Sequence, residues 1–171
     1  LLGRAPQLAL AASIRHWPAK RSADLGGLRL GVTSLNSSTE FLAQLWLSQA
    51  GVPPDGVRFV PVGHGTEAVA ALRQGRVHAL SHADPFITML EQRGEVRLLA
   101  DTRTLRGSAE MFGGTMPGAC LYAPEGYVQQ HPAQVQALVH ALVRALKWLQ
   151  TASPADMARI VPRAHMLGDL G

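Results

Sequence analysis

Three times in this chain a short apolar run passes through a polar turn into an amphipathic stretch that stops at a glycine. No other property narrows its fold as much. Residues 28–33 (LRLGVT) predict a strand, and residues 39–50 (TEFLAQLWLSQA) a helix closed by Gly51, with Pro53 and Pro54 behind it. Residues 57–62 predict a second strand, and residues 66–74 a helix ended by Gly75. Residues 77–82 predict a third strand, residues 85–93 a helix ended by Gly94, and residues 96–100 a fourth strand. This alternation calls for an α/β architecture in which helices pack over a parallel sheet. An earlier apolar run, residues 8–14, predicts a buried strand, and residues 16–24 a polar connector. Further on, residues 102–118 read as loop and 119–123 as one more strand. Residues 132–151 read as the longest helix, with an apolar stripe from Val135 through Leu138 and Leu142 to Leu149. Ser153, Pro154 and Asp156 carry the signature of a capped final helix.

The 171 residues suffice for one domain or two small lobes, and 47% hydrophobic against 16% charged residues argues for a substantial core. Sixteen Lys and Arg against twelve Asp and Glu give +4. The arginines are spread along the sequence, with no basic run beyond Lys20-Arg21 and no aromatic platform. A basic stripe and a nucleic-acid partner are therefore not expected, which leaves a mild positive field suited to small anions. The lone Cys120 excludes an internal disulfide and a Cys-rich metal site. No apolar run is long enough for a membrane span. With Leu1 where an initiator Met would stand, the chain reads as a fragment or processed product whose targeting signal lies out of view. The seven histidines show no metal-ligand spacing; His78 and His82, four apart on a strand, would sit about 13 Å from each other. No metal, cofactor or catalytic residue is expected: no G-x-S-x-G elbow occurs, and Cys120 falls inside a predicted strand.

Candidate binding residues come from the three junctions where a strand feeds a helix. The first holds Asn36, Ser37, Ser38 and Thr39, with Ser37 and Glu40 spaced for a capping box. The second is Gly63, His64, Gly65 and Thr66, and the third His82 with Asp84, an N-cap before Pro85. In a parallel sheet all three emerge at the carboxyl ends of the strands, where open α/β sheets bind ligands. Free amides, helix dipoles and hydroxyls there suit a small anion. A rival reading uses the same residues. Gly63-His64-Gly65-Thr66-Glu67-Ala68 is G-x-G-x-x-A between a strand and a helix, with Asp84 after the next strand, as a dinucleotide fingerprint requires.

The order and spacing of these segments resemble the periplasmic solute-binding proteins of the nitrate/sulfonate/taurine and thiamine-precursor group. The resemblance is carried by residues 24–33, 36–39 and 50–52, then 59–63, 68–80 and 83–86, and runs from about residue 6 to 160. It implies a two-lobed type II periplasmic-binding fold with the N-terminal half of the first lobe absent from this chain. Residues 1–23 would give a first-lobe strand and hinge, 24–116 the second lobe, and 117–171 the return hinge and C-terminal helices of the first lobe. It implies further that the loop at Asn36 to Thr39 and the segment at Gly63 to Thr66 touch ligand. At the third junction the family often carries an aromatic residue and a Glu, where His82 and Asp84 stand here. The function implied is the non-enzymatic substrate-binding component of an ABC importer. It would hand a small anionic or zwitterionic solute to a membrane permease outside the cytoplasm, without a cofactor. Two alternatives stay open: an enzyme of thiamine-pyrimidine or menaquinone-precursor metabolism on the same fold, and a sensory or structural use of it.

Overall fold

The computed structural model describes residues 8–17, 21–53, 55–114, 116 and 118–162. The chain divides into two compact units, Leu1–Cys120 and Leu121–Gly171.

The first unit is built on a five-stranded sheet. Its strands are β1 (Leu8–Ser13), β2 (Arg29–Val32), β3 (Arg58–Pro61), β4 (Ala79–Ala83) and β5 (Val96–Asp101), in the order β3-β2-β4-β1-β5. Helices α1 (Ser38–Gln49), α2 (Thr66–Arg73) and α3 (Phe86–Gln92) follow β2, β3 and β4. The helix-strand alternation thus falls where the glycine-stopped periodicity puts it. The sheet, however, is mixed rather than uniformly parallel. β2 pairs parallel with β3 and β4, while β1 lies antiparallel between β4 and β5. β1 ends at the edge where β2 begins. The connector, whose described residues carry a 3-10 turn at Ser22–Leu25, starts and ends at the same edge of the sheet and so needs no crossover helix. Leu8–Ser13, given to the first lobe by the resemblance, is in this way an inner strand of the same sheet as β2 to β5.

β1 is buried along its whole length, which explains why LALAAS shows no polar alternation. On one face Leu8, Leu10 and Ala12 join Leu30 and Ala79 under Leu42, Ala43, Trp46 and Leu47 of α1. On the other, Leu80 lies over Gly31, where a Cβ would come within 2.7 Å of its side chain; α2 and α3 cover this face. Each fully buried leucine adds about 2 kcal/mol of transfer free energy. A further helix, α4 (Leu105–Phe112), forms inside the stretch read as loop. Thr104 caps it by accepting from the Gly107 amide at 3.0 Å, and Gly113, at φ 72°, ends it in the left-handed region.

The second unit holds α5 (Glu125–Gln130), α6 (Pro132–Leu149) and α7 (Pro154–Ile160). α7 opens with the capping box that the sequence announces: Ser153 Oγ accepts from the Asp156 amide, and the Asp156 carboxylate accepts from the Ser153 amide. Residues 119–123 are irregular, not a strand, and pair with no strand among the described residues; Cys120 is exposed. No α6 residue is fully buried, and Leu138 and Leu142 of its apolar stripe are 50% and 47% exposed. Such a stripe drives association. Expressed as these 171 residues, the protein is expected to self-associate in light scattering, and the double substitution Leu138→Glu, Leu142→Glu to suppress this; a monodisperse wild-type monomer would contradict it.

Candidate functional site

The turn between β2 and α1 is held by a closed ring of hydroxyls. Asn36 takes φ 58°, a left-handed conformation that asparagine tolerates, and this reverses the chain onto itself. Ser37 Oγ donates to the Ser34 carbonyl at 2.6 Å and so only accepts from Thr39 Oγ1 (2.7 Å) and Thr33 Oγ1 (3.3 Å). Thr39 Oγ1 in turn accepts the Thr33 amide at 3.0 Å and is 3% exposed. The hydroxyl protons of Ser37 and Thr39 are therefore spent inside the turn. The expected capping box between Ser37 and Glu40 does not form. Ser37 stands at the N-cap without capping, and Glu40 accepts instead from the Asn36 amide at 2.8 Å and from Gln44 at 3.0 Å. Ser38, at the first helical position, is exposed, and its hydroxyl makes no hydrogen bond among the described residues. The first-turn amides of α1, at Ser38, Thr39 and Glu40, have no intrahelical acceptor.

The second junction is stitched to the first. Gly63, at φ 79°, donates its amide to the Thr33 carbonyl at 3.1 Å. Gly65 is the N-cap of α2, and the Glu67 carboxylate folds back over it so closely that a Cβ there would lie 2.7 Å from Glu67 Oε2. His64 and Thr66 are exposed. His82 is 2% exposed. One ring nitrogen lies 3.2 Å from the Gly63 carbonyl, the other 3.1 Å from that of Ala83, and Phe86 meets the ring edge-on at 5.6 Å. It braces the second junction against β4 and does not project outward. Ser81 adds a tie between β4 and α1, donating to the Thr39 carbonyl at 2.7 Å.

Asp84 is engaged as well. Its Oδ1 accepts from the Thr88 amide and hydroxyl and from Arg103 Nη1 at 3.0 Å, while Pro85 takes the N-cap position expected for it. Arg103 is the hub here, with its side chain 12% exposed and bonded also to Asp101 and Glu91. The hydrogen bonds it donates to Asp101 and Asp84 hold its guanidinium pKa well above the ordinary arginine value. Nothing in the local sequence marks Arg103, because two of its three acidic partners are distant in the chain. Asp84, Glu91 and Asp101 thus gather around this one enclosed arginine, and the Glu67 carboxylate lies beside Gly65 at the second junction. The donors left over at the first two junctions are first-turn amides and the exposed Ser38 and Thr66 hydroxyls, not arginines.

The dinucleotide rival fits this geometry poorly. Its strand, β3, is at the edge of the sheet, and Asp84 is paired with Arg103. Among the described residues no group of three His, Cys, Asp or Glu is placed to hold a metal ion, and no helix is long and apolar enough to cross a membrane.

A mixed five-stranded sheet with helix N-termini gathered at one edge is the architecture of the type II periplasmic-binding fold, and solved structures bear this out. The periplasmic aliphatic sulphonate binding protein SsuA of Escherichia coli superposes with a TM-score of 0.71 at 22% identity, over 91% of this chain and 49% of its own. The alkanesulfonate-binding protein SsuA of Xanthomonas axonopodis pv. citri, bound to MOPS, gives 0.66 at 22% identity, over 92% and 49%. A structure from Bordetella bronchiseptica RB50 shares 43% identity at a TM-score of 0.86, over 98% of this chain and 53% of that one. The chain thus spans about half the length of these solved relatives. Residues 5–163 match the family model, and the chain belongs to the NMT1-like family. No curated protein matches it.

Proposed function

We propose that this chain supplies one wall of the solute site of an extracytoplasmic binding protein serving an ABC importer, and that its solute is a small anion or zwitterion of the sulfonate, taurine or nitrate kind. One observation carries the reading: the amide ends of α1 and α2 are fixed side by side through Gly63 and Thr33, with the Ser38 hydroxyl unpaired beside them. In this reading Asn36, Ser38, Gly65 and Thr66 face the solute. Ser37, Thr39, Gly63, His82 and Asp84 hold the wall in shape, and His64 stands at its rim. Binding would draw a second wall over the solute, and the closed form would be what a permease recognises. No residue in the wall has the paired acid, base or nucleophile of a catalyst.

Titrating the isotope-labelled chain with ethanesulfonate or taurine is expected to shift amide resonances of residues 34–40 and 63–67 and few others. Ser38→Glu places a carboxylate against the same amides and is expected to weaken binding about tenfold or more. Shifts scattered elsewhere, or unchanged affinity in that variant, would remove this assignment.

A further inference from the structure

The arginines scattered along the sequence converge in space. β2, β3 and β4 start at one edge of the sheet, opposite the edge just described, and β1 ends there. Arg29 and Arg58 stand in register at the starts of β2 and β3. Arg76 precedes β4, Arg15 follows β1, and Arg97 is the second residue of β5. The basic stripe judged improbable from the sequence is therefore present in the fold. Arg29 is anchored by donating to the Gly75 carbonyl at 2.9 Å and the Arg76 carbonyl at 2.6 Å, while Arg15, Arg58, Arg76 and Arg97 are exposed. The carboxylates of this edge are few: Glu95 is gripped at both oxygens by Arg73 at 2.8 Å, Asp24 pairs with Arg21, and Asp55 sits in the turn before β3. Burial, and the charges of Arg29 and His16 after it, push the pKa of His78 below the ordinary histidine value.

The edge is also concave. A hollow of about 570 Å³ opens between the end of β1 and the start of β5, with Ile14 and Leu72 on its walls and Arg15, His16, Arg73 and Glu95 around it. His16 is fixed by its Nε2 donating to the Arg73 carbonyl at 2.9 Å.

We propose that this edge docks an extended acidic peptide segment of a partner protein. Five strands at about 4.8 Å spacing carry the row of cations over roughly 19 Å, the span of about six extended residues. The hollow accepts an apolar side chain within that segment. A concave edge matches an extended segment better than the flat face of a bilayer, and among the described residues the edge has no exposed aromatic on which single-stranded nucleic acid could stack. The surface stands independently of the solute reading.

Anisotropy of a labelled hexaglutamate peptide tests it on the full chain. Binding is expected at low salt, lost near molar salt, and absent for hexalysine. Arg15→Glu with Arg97→Glu should weaken it about tenfold, and Arg58→Glu, at the far end of the row, should also weaken it. Arg106→Glu, beyond β5 at the opposite edge, should leave it unchanged. Equal binding by wild type and the double variant, or no binding at all, would overturn the proposal. So would tighter binding of phosphatidylglycerol vesicles or an oligothymidine than of the peptide, with the same sensitivity to Arg15 and Arg97, which would assign the edge to a membrane or a nucleic acid.

Discussion

Arg103→Met is expected to lower the unfolding midpoint by on the order of 10 °C in a calorimetric scan. The side chain is 12% exposed and holds Asp84, Asp101 and Glu91 within 3.2 Å. Methionine keeps most of the packing but leaves three carboxylates crowded together with no cation, and stranding partly buried charge in this way costs about 3 kcal/mol. Asp84→Asn should cost about 1 kcal/mol or less, since Arg103 keeps its other two partners and Asp84 is 37% exposed. A shift of a degree or two for Arg103→Met would show that the three acids do not depend on it. The damage should also reach the third junction, because Arg103 and Asp84 together fix Thr88 in α3.

Gly107→Ala should be of comparable or greater effect. A methyl group at this position would overlap the Asp101 carbonyl oxygen, which is backbone and has no rotamer to escape into. Relief requires lifting α4 away from the end of β5. That strains the Thr104 cap, whose donor is the Gly107 amide itself. We expect about 3 kcal/mol or more, read as a fall in the urea midpoint at unchanged slope. Gly26→Ala provides the contrast, since nothing lies within 4 Å of a Cβ built there; it should move the midpoint very little. Equal effects at the two positions would mean that α4 can lift from the end of β5 at little cost.

These two sites show what kind of information the sequence withholds. Strands and helices over residues 28–100 are legible because each junction carries its own punctuation: an apolar run, a polar turn, a stopping glycine. α4 is not, because Gly107 and Ser108 depress its helical signal and its Thr104 cap is recognisable only once the helix is known. The direction of β1 is also hidden, since an apolar hexapeptide reads the same whichever way it runs. At the candidate site the right loops stand out, but the division of labour within them does not. Ser37 and Thr39 look like donors in a list of residue types, and only the closure of the hydroxyl ring shows that Ser38 and the amides are left over. The basic edge is the extreme case. Its arginines are far apart in the chain and meet because every β-strand but β1 begins at the same end of the sheet.

The position of β1 also sets the order in which this polypeptide can assemble. Leu10 pairs with Ser81 on one side and with Ala100 on the other. The most apolar strand is thus synthesised before both of its partners and is among the last to find them. Pairing across such long stretches of chain slows folding. Until β4 is synthesised LALAAS has no strand to pair with, and until β5 follows its other edge stays open. The nascent chain should therefore be a client for chaperones that shield exposed strands. An interruption anywhere between β1 and β5 would leave an open sheet edge rather than a smaller folded unit.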